Sequence, residues 1–158
     1  QEEPRSYVER VVAAKLGAAA ARARRRGVFG DAPILCADTT VAVDGQILGK
    51  PEDAGHATQM LTQLSGREHR VLTAVGVVWQ GEPVFATSVS KVTFAPLSPS
   101  DIAAYIATGE PFGKAGSYGV QGKAAAFIAK ISGSYSGIMG LPLHETATLL
   151  RAVGFKGL

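Results

Sequence analysis

The stretches HRVLTAVGVVW (69–79) and PVFATSVSKVTFA (83–95) constrain the chain more than any other feature in it. Both are rich in the β-branched and aromatic residues that fit a pleated sheet, and only a few residues around Gly81 separate them. So short a connection does not carry the chain back to the far end of a sheet, so the runs are predicted to pair antiparallel. A third run, ILCADTTVAV (34–43), leads into Asp44 and Gly45 and then QIL (46–48). An Asp-Gly pair tolerates the left-handed backbone of a two-residue hairpin turn, which predicts a second antiparallel pair. AFIAKIS (126–132) is a further strand candidate.

Helix signals alternate with these runs. Pro4 suits a first helical turn, the good helix formers of RSYVERVVAAKLGAAAARARRR follow it, and Gly27 ends the segment. Asp53 can cap AGHATQMLTQL, with Gly66 just past its end. Ser98 and Asp101 give a capping-box-like start to DIAAYIATG, EPFGKAGSYGVQG is a glycine-rich loop, and a last helix is predicted from Leu141 or Pro142 to about Val153. The pattern predicts an α/β domain with a mixed sheet. A chain of 158 residues, 46% hydrophobic and 18% charged, can bury a core of its own, and no repeat or linker divides it. Residues 1–158 are therefore read as one domain.

Several function classes lose support. No apolar run is long enough to span a membrane, and no secretory signal is evident. Cys36 stands alone, which excludes an internal disulfide and suits a reducing interior; its apolar neighbours predict a buried small side chain rather than a nucleophile. The net charge of +3 and pI near 9.2 suit a polyanionic ligand. The basic excess concentrates in Arg22–Arg26, where no aromatics interleave, so a solvated helix end is favoured over a nucleic-acid patch. There is no HExxH, paired CxxC, GxGxxG at a strand–helix junction or Walker loop, and His56, His69 and His144 show no metal spacing.

What remains is polar residues in unusual settings. Asp38 and Thr39 interrupt an apolar run, and an ionised carboxylate there needs a cation, hydrogen bonds or an open cleft. Lys50 lies between Gly49 and Pro51 just past the hairpin, Lys114 and Gln121 lie in the glycine-rich loop, and Lys15 stands among alanines and valines. A carboxylate with lysines fits metal-assisted attack on a phosphate, the carboxylate holding a divalent ion or taking a proton and the lysines balancing oxyanion charge. A structural ion pair between Asp38 and one lysine fits the composition equally.

The stretch ADTTVAVDGQILGKPEDAGHATQMLTQLSGREHRVLTAV resembles the hallmark region of the Maf family, also called septum formation inhibitor or Maf-like proteins. SYVERVVAAK, DIAAYIATGEP, KAGSYGVQG and ISGSYSGIMGLPLHET extend the resemblance across essentially the whole chain, in order. It implies a cytoplasmic nucleoside triphosphate pyrophosphatase that releases the monophosphate and pyrophosphate with Mg2+ or Mn2+. It also implies an elongated α/β fold with a central cleft, related to inosine triphosphate pyrophosphatases, and, as for many members, a homodimer; neither a membrane nor a stable nucleic-acid partner is expected. Carried over residue by residue, the catalytic, metal-linked aspartate falls on Asp38, the GKP lysine on Lys50, and the lysine after YVxRxxxxK on Lys15. The residues tied to base selection fall on Thr39 and Gln121, with Lys114 a further phosphate-binding candidate.

Two features depart from the family pattern. The family's opening glycine-rich loop, with its Ser-x-Ser-Pro-Arg-Arg motif and later glutamate, is not in this chain, which is read as lacking its N-terminal segment. Gly113 also stands where members often carry Asp before the KAG lysine. Gln121 in AGSYGVQG places the chain with the branch that prefers dTTP and UTP, since an amide can both donate to and accept from a pyrimidine imide edge. The old family name implies a different class, a regulator of cell division acting through a partner or nucleic acid, and a hydrolase of nucleoside diphosphates or dinucleotides is a third reading.

Overall fold

The computed structural model describes residues 2–27 and 31–157. Its first helix, α1 (Pro4–Arg26), starts where the Glu3 side chain accepts from the Ser6 N–H and stops at Gly27 with φ 60°. Arg24, Arg25 and Arg26 form its last turn, the solvated helix end that the arginine run suggests. Val8, Val12 and Leu16, four residues apart, are buried on one stripe, and full burial of such a side chain contributes about 1.5–3 kcal/mol.

Strands β1 (Ile34–Val43) and β2 (Gln46–Leu48) form the hairpin, with Asp44 at φ 50° and Gly45 at φ 76° as the turn required. Helix α2 (Ala54–Leu64) is capped by Asp53, which accepts from the His56 N–H at 2.7 Å. Strands β3 (Glu68–Val78) and β4 (Val84–Phe94) pair as their composition predicts. The capping box of α3 (Pro99–Ala107) forms, Asp101 N–H donating to Ser98 Oγ at 3.1 Å and Ser98 N–H to Asp101 Oδ2 at 2.9 Å. Strand β5 (Ile128–Ser132) starts later than AFIAKIS suggests, because Ala126 and Phe127 close a 3-10 turn over Lys123–Phe127. A five-residue helix, α4 (Tyr135–Met139), precedes α5 (Leu143–Ala152) and has no counterpart among the sequence signals.

The α/β class expected from sequence is the class observed. The sheet order is β2-β1-β3-β4-β5, and all four described pairings are antiparallel, so among the described residues it contains no parallel pair. Helices cover both faces. Val8 and Val12 of α1 pack on Ala42, Leu72 and Ala74, while Val41, Val43, Val71 and Val92 meet α2 and α3 through Leu61, Leu64, Ile102 and Tyr105. Cys36, expected to be buried, is only half-buried. Its end of β1 has a strand on one side alone: β2 pairs just with Val41–Val43, whereas β3 pairs with Ile34–Ala42.

Candidate active site

Side chains alternate across a strand, so Asp38 and Thr39 leave β1 in opposite directions. Asp38 shares the α1 side with Ala42, and Lys15 of α1 donates from Nζ to its Oδ1 at 2.5 Å. Thr39 shares the other side with Val41 and meets its cross-strand partner Thr73, with 2.8 Å between their Oγ1 atoms.

A cavity of about 310 Å3 reaches both. It rests against Thr39, Val41 and Val71, extends to the β1 edge at Ala37 and Asp38, and is closed by residues 113–115, 118–121 and 138–140. Asp38, Thr39, Lys50, Lys114 and Gln121 all line it, while Lys15 touches it through Asp38. Five of the six residues singled out from sequence therefore share one cavity, and Lys15 stands outside its lining as the partner of Asp38. The ion pair that composition leaves open is also present, in an open rather than buried setting: the Lys15 side chain is 50% exposed and that of Asp38 22%. Such a pair contributes at most about 1 kcal/mol.

The glycine-rich loop is held by residues whose role the sequence does not announce. Glu110 accepts from the Tyr105 hydroxyl at 2.7 Å, the Lys123 N–H at 2.9 Å and the Ala124 N–H at 3.3 Å. Burial alone would raise the Glu110 carboxyl pKa, but these donors together bring it below its ordinary value. The Glu110 carbonyl also accepts from Lys114 Nζ at 2.7 Å. Gly116, at φ 67°, donates its N–H to the Gly49 carbonyl at 3.0 Å, which joins the loop to the residue before Lys50. A Cβ there would lie 2.8 Å from Val41 Cγ1, so the close approach requires glycine. Gly113 lines the cavity without a side chain.

Below the loop, Tyr118 lines the cavity and its hydroxyl lies 2.6 Å from His69 Nε2. Burial pulls the His69 pKa down to about 4, only weakly opposed by Glu68, and pushes the Tyr118 phenol up. Both are neutral near pH 7, so Tyr118 brings no charge to the cavity wall and is anchored from behind by His69.

Among the described residues, no group of three or more His, Cys, Asp or Glu side chains could hold a metal ion, and Asp38 is the one carboxylate lining the cavity. Mg2+ is commonly held by one or two carboxylates, with water and substrate phosphates completing the shell, so this donor set fits an ion that arrives with a phosphorylated ligand.

A profile of the Maf-like protein family matches residues 1–153. The chain belongs to the Maf-like protein family. Its Maf-like relatives include proteins named dTTP/UTP pyrophosphatase from Polaromonas sp., 60% identical over 99% of this chain and 77% of the relative, and from Ralstonia nicotianae, 64% identical over 94% and 72%. A Nitrosomonas europaea protein of the same name is 53% identical over 99% of this chain and 75% of its own length. Among the described residues of this Maf-like chain, no helix is long and apolar enough to cross a membrane.

Proposed function

We propose that the protein is a nucleoside triphosphate pyrophosphatase acting on dTTP and UTP, cleaving each to the monophosphate and pyrophosphate. The observation that carries this is the convergence of Asp38, Thr39, Lys50, Lys114 and Gln121 on one cavity, in a chain whose relatives carry that name. In this reading Asp38 accepts a proton from the water that attacks the α-phosphorus, and the hydrogen bond from Lys15 Nζ orients its carboxylate. Lys50 and Lys15 balance charge on phosphate oxygens, with Lys114 adding to them from the loop. A divalent ion, Mg2+ or Mn2+, would be held by Asp38 and would supply neutralisation of the triphosphate. Gln121 and Thr39 meet the base, between them offering the donor and the acceptor that an imide edge requires. A cytoplasmic location and a homodimer without stable nucleic-acid partners belong to the same reading and rest on the family alone.

Product chromatography with UTP, dTTP and a panel of other triphosphates tests it. Equal release of monophosphate and pyrophosphate from UTP and dTTP is expected; stepwise orthophosphate release would overturn cleavage at the α-phosphorus.

A further inference from the structure

Thr73 sits in the middle of β3, fully buried, with its hydroxyl between two neighbours. It lies 2.6 Å from the carbonyl oxygen of Gly137 in α4, and 2.8 Å from Thr39 Oγ1. A hydroxyl has a single proton, and a carbonyl oxygen can only accept. The Thr73 proton is therefore committed to Gly137, and Thr73 accepts from Thr39. The Thr39 proton is committed in turn. What Thr39 presents to the cavity, beside Gly140, is an oxygen that can only accept.

We propose that Thr73 is a positioning residue for base selection: it orients the Thr39 hydroxyl so that the cavity accepts from the N3–H of a uracil or thymine ring. This rests on the reading of the cavity as a dTTP/UTP site. Cytosine carries a bare acceptor at N3, so the same oxygen would set lone pair against lone pair and select against CTP. Freed from Thr73, Thr39 could turn its proton outward, donate to cytosine N3, and lose that discrimination.

The test compares kcat/KM for UTP and CTP in the full protein, in Thr73→Val and in Thr73→Ser. Valine keeps the shape and removes the relay, and serine restores it. The expected result is that Thr73→Val lowers the UTP:CTP ratio by about tenfold, the scale on which one polar contact to a substrate discriminates, chiefly through KM, while Thr73→Ser stays near the parent. A purely structural role would lower both substrates together and leave the ratio fixed, which overturns the proposal. If Thr73→Val does not stay folded, Thr73→Cys, with a weaker donor in a similar volume, is expected to give an intermediate ratio, and an unchanged ratio there overturns it equally. A parent protein that does not turn over UTP refutes the dTTP/UTP reading instead, so the two failures are distinguishable.

Discussion

Mild acid is expected to destabilise this protein through His69. The ring is 2% exposed and lies edge-on to Phe94 and Tyr118 at centroid distances of 5.1 and 5.4 Å. Burial lowers its pKa from 6.5 to about 4, so between these values the unfolded chain binds a proton that the folded one refuses. Stability is then full above pH 6.5, falls as pH drops toward 4, and levels off below that. At pH 5 the unfolded imidazole is almost wholly charged and the folded one mostly neutral, which amounts to a loss of about 2 kcal/mol relative to pH 8. Glu3 and Glu110, held below their ordinary pKa of 4.5, lose their contributions mainly at lower pH, so they overlap little with this window. Urea unfolding at pH 8 and pH 5, fitted with a common m-value, measures the effect. His69→Phe keeps a ring in the same packing but cannot titrate. It should cost about 1 kcal/mol at pH 8 for the lost bond to Tyr118 and should be nearly flat between the two pH values. If His69→Phe shows the same acid loss as the parent, the buried imidazole is not its source.

Asp38→Asn should leave the melting temperature within a few degrees, because its pair with Lys15 is worth at most about 1 kcal/mol. UTP turnover in the same variant should fall by roughly 10²–10⁴ as for a lost general base, and a variant that melts early yet keeps its turnover would assign Asp38 to structure alone. Gly116→Ala forces a Cβ against Val41 at a left-handed backbone position, so thermal melting should register a loss of about 1–3 kcal/mol with reduced turnover, and an unshifted melt would show that the loop relaxes freely. Glu110→Gln places an amide among three donors; KM for UTP is expected to rise severalfold as the Lys114 loop loosens, with about 1 kcal/mol lost in urea titration, and an unchanged KM would separate the loop anchor from the site.

Features written in local chemistry were legible in the sequence. Asp44-Gly45 specified its turn, Asp53 and Ser98 their caps, and the runs around Gly81 their pairing, because each depends on residues a few positions apart. Helix α4 was not, since five residues are too few to show a helical period. Nothing in sequence marks Glu110 as the anchor of its glycine-rich loop, because its three donors are supplied by residues up to 14 positions away. Thr73 read as a β-former because nothing near it in sequence reveals that Thr39 and Gly137 meet there, 34 and 64 residues distant. The six site residues stand out in sequence as polar groups in apolar or glycine-rich settings, and the family motifs give them roles; how Asp38 and Thr39 share a cavity follows from a period-two argument. Adjacent residues on a strand cannot face the same side, so Asp38 and Thr39 can serve one cavity only if it wraps a strand edge. The three residues of β2 leave that edge uncovered from Ile34 to Thr40 among the described residues. The short second arm of the hairpin is thus what lets a carboxylate paired to α1 and a hydroxyl fixed from β3 line the same cavity.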